Sequence, residues 1–291
     1  METLLKNIGI YLITLLVLSL FKSYKLSFEL ETETFYSQSN QISSPKYIPE
    51  LSPTPISISL DSIINKTKEV NDAKIALMPK ISELKFLLVG DSMIQGAVGV
   101  QIEKRLLDYQ VVDVYRFGKP STGMSRSDFF NWNRKTDEIL KDYSPDVVIV
   151  MFGANDGQSI WADKKWVKLD DPFWDATYER KVEEFSQKFF DNNVKNVYWV
   201  GNSISRYEYY SEYMKKINNA LISYSQKKEN FIYISTWEDF SDSSGNYMHF
   251  TTTPEGSKKV LRAEDGIHFT NDGGKIIADE VVEKLKEKFR F

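Results

Sequence analysis

Leu84-Lys85-Phe86-Leu87-Leu88-Val89-Gly90-Asp91-Ser92 is the stretch on which the reading of the chain turns. A short run of large apolar residues stops at a glycine and is followed at once by a carboxylate and a hydroxyl. A strand covered on both faces needs such near-continuous apolar character, whereas a half-solvated strand alternates. Four further runs downstream share it: Val111 to Tyr115, Val147-Val148-Ile149-Val150-Met151, Val197-Tyr198-Trp199-Val200 and Phe231-Ile232-Tyr233-Ile234. Between them lie helix-length segments of mixed polarity, and the last, Thr270 to Phe291, repeats Ile277, Val281 and Leu285 at helical spacing. The alternation predicts an α/β fold over residues 84–291, a three-layer α/β/α sandwich around a five-stranded parallel sheet.

Upstream the sequence changes character. Ile8 to Phe21 carries no charge and is preceded by Lys6 and followed by Lys22 and Lys25. The run is shorter than the roughly 20 residues of a comfortable membrane span, and no small-residue cleavage site follows it. We read residues 1–26 as an uncleaved signal anchor. Residues 27–83 contain Ser43-Ser44-Pro45, Pro49 and Ser52-Pro53-Thr54-Pro55 and no glycine, which suits a spacer with at most a short helix around Leu60 to Val70.

Composition removes several classes of function. Lys plus Arg number 37 against 41 Asp plus Glu, so no basic excess is present to neutralise a phosphate backbone, and nucleic-acid binding is disfavoured. The chain has no cysteine, which excludes disulfides, thiolate nucleophiles and Cys-ligated metals. With His249 and His268 as its only histidines, a multi-His metal site is not expected either.

In an open parallel sheet, ligands bind beyond the C-terminal ends of the strands, so the residues that follow each strand are the informative ones. They are Gly90-Asp91-Ser92, then Gly118-Lys119-Pro120-Ser121-Thr122-Gly123, then Gly153-Ala154-Asn155-Asp156, and, before the last helix, Asp265-Gly266-Ile267-His268. Together these suit acyl transfer. A serine hydroxyl needs an adjacent base to attack a carbonyl at neutral pH, and His268 is the candidate base for Ser92. A carboxylate on the other ring nitrogen fixes the tautomer and stabilises the imidazolium, and Asp265 is spaced for that. The oxyanion of the tetrahedral intermediate needs prepositioned donors. Candidates are the Asn155 carboxamide and the backbone N–H groups of Ser92 and of a glycine in the second block, either Gly118 or Gly123.

The four blocks, in this order, resemble the SGNH/GDSL hydrolase superfamily, with Met93 where the GDSL signature has leucine. The stretches 118–132, Tyr198 to Gly201 and Asp265 to Thr270 are similar to a branch found in exported, periplasmic bacterial proteins. The resemblance implies a flavodoxin-like fold and a Ser–His–Asp esterase or acyltransferase that needs no metal or other cofactor. By that likeness Ser92 is the nucleophile, His268 the base and Asp265 its orienting acid, with Ser92, Gly123 and Asn155 forming the oxyanion hole. The anchor and the likeness to an exported branch suggest a domain facing the periplasm or cell exterior from a bacterial cytoplasmic membrane; the site points to an ester substrate, and the location together with the aromatic loops to an acylated carbohydrate. Two alternatives stand beside an esterase: an O-acyltransferase using the same three side chains, and a catalytically idle glycan-binding or assembly module.

Other residues carry weaker signals. Asp91 reads as a turn-holding residue, and His249, in the long Thr236 to Glu264 segment, as part of a hairpin or lid. Trp161, Trp166 and Trp174 follow the third block, and Tyr207, Tyr209, Tyr210 and Tyr213 follow the fourth strand. Gly118, Trp161 and Arg126 are candidate substrate contacts, Arg126 and Arg206 as binders of an anionic group. Protein partners are not legible.

Overall fold

The computed structural model describes residues 60–291. The expected anchor at 8–21 and most of the spacer lie outside the described residues. Among the described residues, no helix is long and apolar enough to cross a membrane.

Five parallel strands form the sheet: β1 (Phe86–Gly90), β2 (Val114–Gly118), β3 (Val147–Met151), β6 (Asn196–Val200) and β7 (Phe231–Ile234), in the spatial order β2-β1-β3-β6-β7. Every residue of β1, β3 and β6 is buried, as strands covered on both faces must be. Neighbouring residues of β6 show the two faces. Trp199 meets Phe185 of helix α5 (Trp174–Asp191), whereas Tyr198 meets Phe289 just beyond helix α7 (Asn271–Lys286). Helix α3 (Ala97–Asp108) packs with α7, and α5 packs with α6 (Glu208–Lys227) and with α4 (Trp132–Asp142).

The order reverses between β1 and β3, since the chain leaves β1 for β2 at one edge and returns to β3 on the other side. Side chains just past β1 and β3 therefore share the crevice in which such sheets bind ligands.

The second strand begins three residues later than its apolar run suggests. Its register is set by β1, with Phe86 opposite Val114 and Gly90 opposite Gly118. As an edge strand it is only partly covered, and Arg116 sits within it. Val111 instead closes the end of α3, its N–H donating to the Leu106 carbonyl.

Helix α1 (Leu60–Leu77) extends the expected short helix by about two turns, and its side chains from Ile64 to Leu77 are exposed. The segment after it, assigned to the spacer, is packed: Ile81 is buried, its N–H donates to the Arg290 carbonyl, and the Arg290 N–H donates to the Pro79 carbonyl. Two antiparallel hairpins, β4–β5 (Ile160–Ala162, Lys165–Val167) and β8–β9 (Phe250–Thr252, Lys258–Val260), stand outside the sheet.

Candidate active site

Ser92 is the first residue of a one-turn helix, α2 (Ser92–Gln95), that begins where β1 ends. Asp91 caps this turn by accepting from the Met93 N–H at 2.9 Å. As an N1 amide, the Ser92 N–H has no intrahelical acceptor. The Ser92 Oγ lies 2.8 Å from His268 Nε2, and His268 Nδ1 lies 2.6 Å from Asp265 Oδ2. With Asp265 accepting from Nδ1–H, Nε2 is left as the acceptor for the serine hydroxyl. The structure thus joins Ser92, His268 and Asp265 in one hydrogen-bonded chain.

The 265–268 turn is braced on all sides. Asp265 Oδ1 accepts from the Ile267 and His268 N–H groups at 2.9 Å each. Gly266 supplies a positive φ of 69°, and the Arg206 side chain packs where its Cβ would stand. Partial burial pushes the Asp265 carboxyl up in pKa, but the bonds from Ile267 and His268 outweigh this and hold it at about 2. The Asp265 and His268 side chains are nonetheless 47% and 42% exposed, so water reaches this side of the site.

Behind the turn sits Arg262, 1% exposed and without a carboxylate among its hydrogen-bond partners. Its guanidinium donates to the Ile204 and Ile267 carbonyls at 2.7 Å and to Gly266 at 3.3 Å, and it lies 4.2 Å from the Phe269 ring centroid. Burial lowers its pKa to about 10, so the cation survives at neutral pH. Nothing in the sequence marks it, because a surface arginine has the same one-letter pattern.

The opposite wall is built from buried groups. Asn155 donates one amide N–H to the Thr122 carbonyl at 2.9 Å, tying the third block to the second. With its second N–H directed to Asp91, the carboxamide stands beside the 122–123 peptide, where a reacting oxygen can compete for an N–H. Asp156, fully buried, accepts from the Ser125 N–H at 2.7 Å and from the Tyr178 hydroxyl at 2.9 Å. Its carboxylate lies where a side chain at 123 would begin, which is why residue 123 is glycine. Gly153 has a φ of 144° and is pressed against the Asn202 side chain, so the turn that presents Asn155 admits only glycine there. Burial raises the pKa of both Asp156 and Asp91. The Asp91 carboxyl is pushed up to about 7 by desolvation and the nearby Asp156 charge, against bonds from Met93, Gly153 and Asn155.

The family described as "Protein of unknown function (DUF459)" matches residues 85–284, more than half of the chain and all four blocks. The chain belongs to the DUF459 family. The four blocks on which the resemblance was drawn all fall within the matched residues. No protein of the curated set matches the sequence. Among solved structures, the DUF459 chain is similar to a GDSL-like lipase from Bacteroides thetaiotaomicron (12% identity, 77% of this chain and 97% of the other, TM-score 0.48). It is also similar to an acetylxylan esterase from Geobacillus stearothermophilus (15%, 69% and 94%, 0.48). A third likeness is to a carbohydrate esterase family 3 protein from Talaromyces cellulolyticus (14%, 70% and 97%, 0.46). At these identities the likeness concerns the layered fold alone.

The remaining candidates in the DUF459 domain have definite places. Gly118 ends β2 against the backbone of Gln95, so its role is to let β2 approach the turn that carries Ser92. Arg126 is engaged by Asp128, with two hydrogen bonds of 2.8 Å, which leaves it poorly suited to an anionic substrate group. Arg206 donates to the Glu264 carbonyl at 2.9 Å. His249 precedes β8, 3.7 Å from Glu264 Oε1 and 3.4 Å from both Arg206 and the Tyr247 hydroxyl; its partners do not include Ser92. Trp174 is buried, whereas Trp161 is 46% exposed. Among the described residues, no group of acidic or histidine side chains is arranged to hold a metal ion.

Proposed function

We propose that this protein is a serine esterase that removes small acyl groups, acetyl foremost, from a cell-envelope carbohydrate. The observation that carries the proposal is the continuous hydrogen-bonded path Ser92 Oγ–His268 Nε2, His268 Nδ1–Asp265 at 2.8 and 2.6 Å. Ser92 attacks the ester carbonyl carbon while its proton passes to His268 Nε2, and Asp265 stabilises the imidazolium that forms. The carbonyl oxygen, now an oxyanion, takes hydrogen bonds from Asn155 and from the Ser92 and Gly123 backbone N–H groups. His268 then returns the proton to the departing alcohol oxygen, which leaves an acyl-serine. Water, deprotonated by the same imidazole, releases the acid and restores Ser92. The solvent exposure of His268 supports water, rather than a second sugar hydroxyl, as the final acceptor.

The uncharged run Ile8–Phe21 supports a membrane anchor that holds the domain on the outer side of a bacterial cytoplasmic membrane. Fractionation followed by protease treatment of intact cells tests this, and a chain recovered in the soluble cytoplasm contradicts it. For the chemistry, the Ser92→Ala chain is expected to lose at least about 10⁴-fold in kcat/KM on p-nitrophenyl acetate. It is also expected to lose labelling by a fluorophosphonate probe. Unchanged hydrolysis ends the proposal.

A further inference from the structure

The hairpin β4–β5 begins five residues after Asn155 and is built around one cross-strand pairing pattern. Ile160 lies opposite Val167, and Trp161 lies opposite Trp166. Side chains of adjacent residues point to opposite faces of a strand. Ile160 and Val167 are accordingly buried, at 0% and 4% exposure, whereas Trp161 and Trp166 are 46% and 50% exposed. The two indoles are 5.3 Å apart and inclined at 60°. Asp163 and Lys164, both at positive φ, close the hairpin in a tight two-residue turn, and Asp163 is paired with Arg180 of α5 at 2.8 Å. The hairpin is thus anchored from behind, and it turns its two largest side chains outward.

This face is linked to the wall of the site that stabilises charge. The Arg126 guanidinium lies 5.9 Å from the Trp166 ring centroid and donates to Gln158 Oε1 at 3.4 Å, while Gln158 Nε2 donates to the Asn155 carbonyl at 2.5 Å. Arg126 follows Gly123 by three residues, a reach of at most about 11 Å, and Trp161 follows Asn155 by six, at most about 22 Å. A di- or trisaccharide spans such distances. The chemistry of the patch narrows its occupant further. The cation lying against Trp166, Arg126, is paired with Asp128, so the indole faces are rimmed there by hydrogen-bonding groups whose charges balance. A sugar ring has an apolar C–H face to lay on an indole and hydroxyls at its edge for Gln158 and the Arg126–Asp128 pair.

Resting on the esterase reading, we infer that Trp161 and Trp166 form a subsite for a neutral sugar ring, which holds the glycan while its acyl group lies at Ser92. The test uses the full chain and its Trp161→Ala, Trp166→Ala and milder Trp166→Phe variants. Substrates are p-nitrophenyl acetate, p-nitrophenyl decanoate, O-acetylated xylo-oligosaccharides and O-acetylated N-acetylglucosamine oligomers. Each Ala variant is expected to raise KM for at least one acetylated oligosaccharide about tenfold or more, with kcat and p-nitrophenyl acetate hydrolysis within twofold of the parent. Trp166→Phe is expected to fall between. Equal losses on every substrate, a change confined to the decanoate, or no change on any glycan overturns the subsite. Binding is read separately from chemistry by titrating the Ser92→Ala chain with unacetylated xylohexaose, cellohexaose and chitohexaose and following indole fluorescence. A saturable change lost in the Ala variants supports the subsite even if the esterase reading fails, and no change with any of the three sugars overturns it.

Discussion

The two walls of the site are held by opposite means. On one side His268 and Asp265 are nearly half exposed, on a turn whose backbone is gripped from behind by the buried cation of Arg262. On the other, Gly123 lies against the buried carboxyl group of Asp156 and Asn155 beside that of Asp91. In the second half-reaction the base must deprotonate an incoming water, so it belongs where water reaches it. A donor of the oxyanion hole gains strength from a dry setting, where its field is less screened. On the proposed reading, the difference keeps proton transfer within reach of water and sets charge stabilisation against the interior, the first braced by the Arg262 cation and the second by two carboxyl groups whose protons burial helps to hold.

The comparison is broken most severely on the wet side. His268→Ala is expected to lower kcat/KM on p-nitrophenyl acetate by about 10⁴-fold with little change in Tm, since the ring is exposed. A loss under tenfold would remove the imidazole from the chemistry. Next comes the dry side: Asn155→Ala is expected to lower kcat by about 10²–10³-fold while KM moves little. If KM rises and kcat holds, Asn155 binds ground-state substrate rather than the oxyanion.

The braces come third. Arg262→Met leaves the carbonyls of Ile204 and Ile267 without their guanidinium donor, while that of Gly266 keeps the Ser205 hydroxyl and the Arg206 N–H. A cost of about 2–3 kcal/mol follows, or roughly 5–10 °C in Tm for a domain of this size. Arg262→Lys should recover part of the Tm and little of the kcat, because an ammonium cannot span three carbonyls as a planar fork does. Full recovery of both would show that charge alone is needed there.

A last comparison separates the walls by the sign of their pH dependence. Asp91, raised to about 7 in the fold, binds its proton more tightly folded than unfolded, so its contribution favours the fold at low pH and is lost as pH rises from about 4 to 7. Asp265, held at about 2, acts oppositely, favouring the fold above about pH 4 and losing that contribution as pH falls towards 2. Urea midpoints of Asp91→Asn are therefore expected to decline less between pH 4 and 7 than those of the parent. An identical slope in the two chains would mean that Asp91 does not titrate in that window.

How much of this could be read from the sequence depends on how local each cause is. The strand β3 follows directly from its apolar run, Val147–Met151, because burial on both faces leaves an unbroken signature. The edge strand β2 misled, since half-covered strands tolerate Arg116 and their ends are fixed by a partner distant in sequence. The four blocks were legible because each places its polar residues within a few positions of a strand or helix end.

The sequence by itself determined the chemistry on offer: one hydroxyl with a glycine before its turn, one imidazole three residues after a carboxylate, one carboxamide, and no thiol. Only the tertiary structure decided that Ser92 and His268, 176 residues apart, stand 2.8 Å from each other. It alone decided that Arg262 is a buried brace, that Asp156 occupies the space beside Gly123, and that Trp161 faces water while Trp174 does not. Residue type and local spacing fix what a side chain is able to do. Burial, partner and direction depend on elements far away in the chain, which meet only when the sheet and its covering helices are assembled.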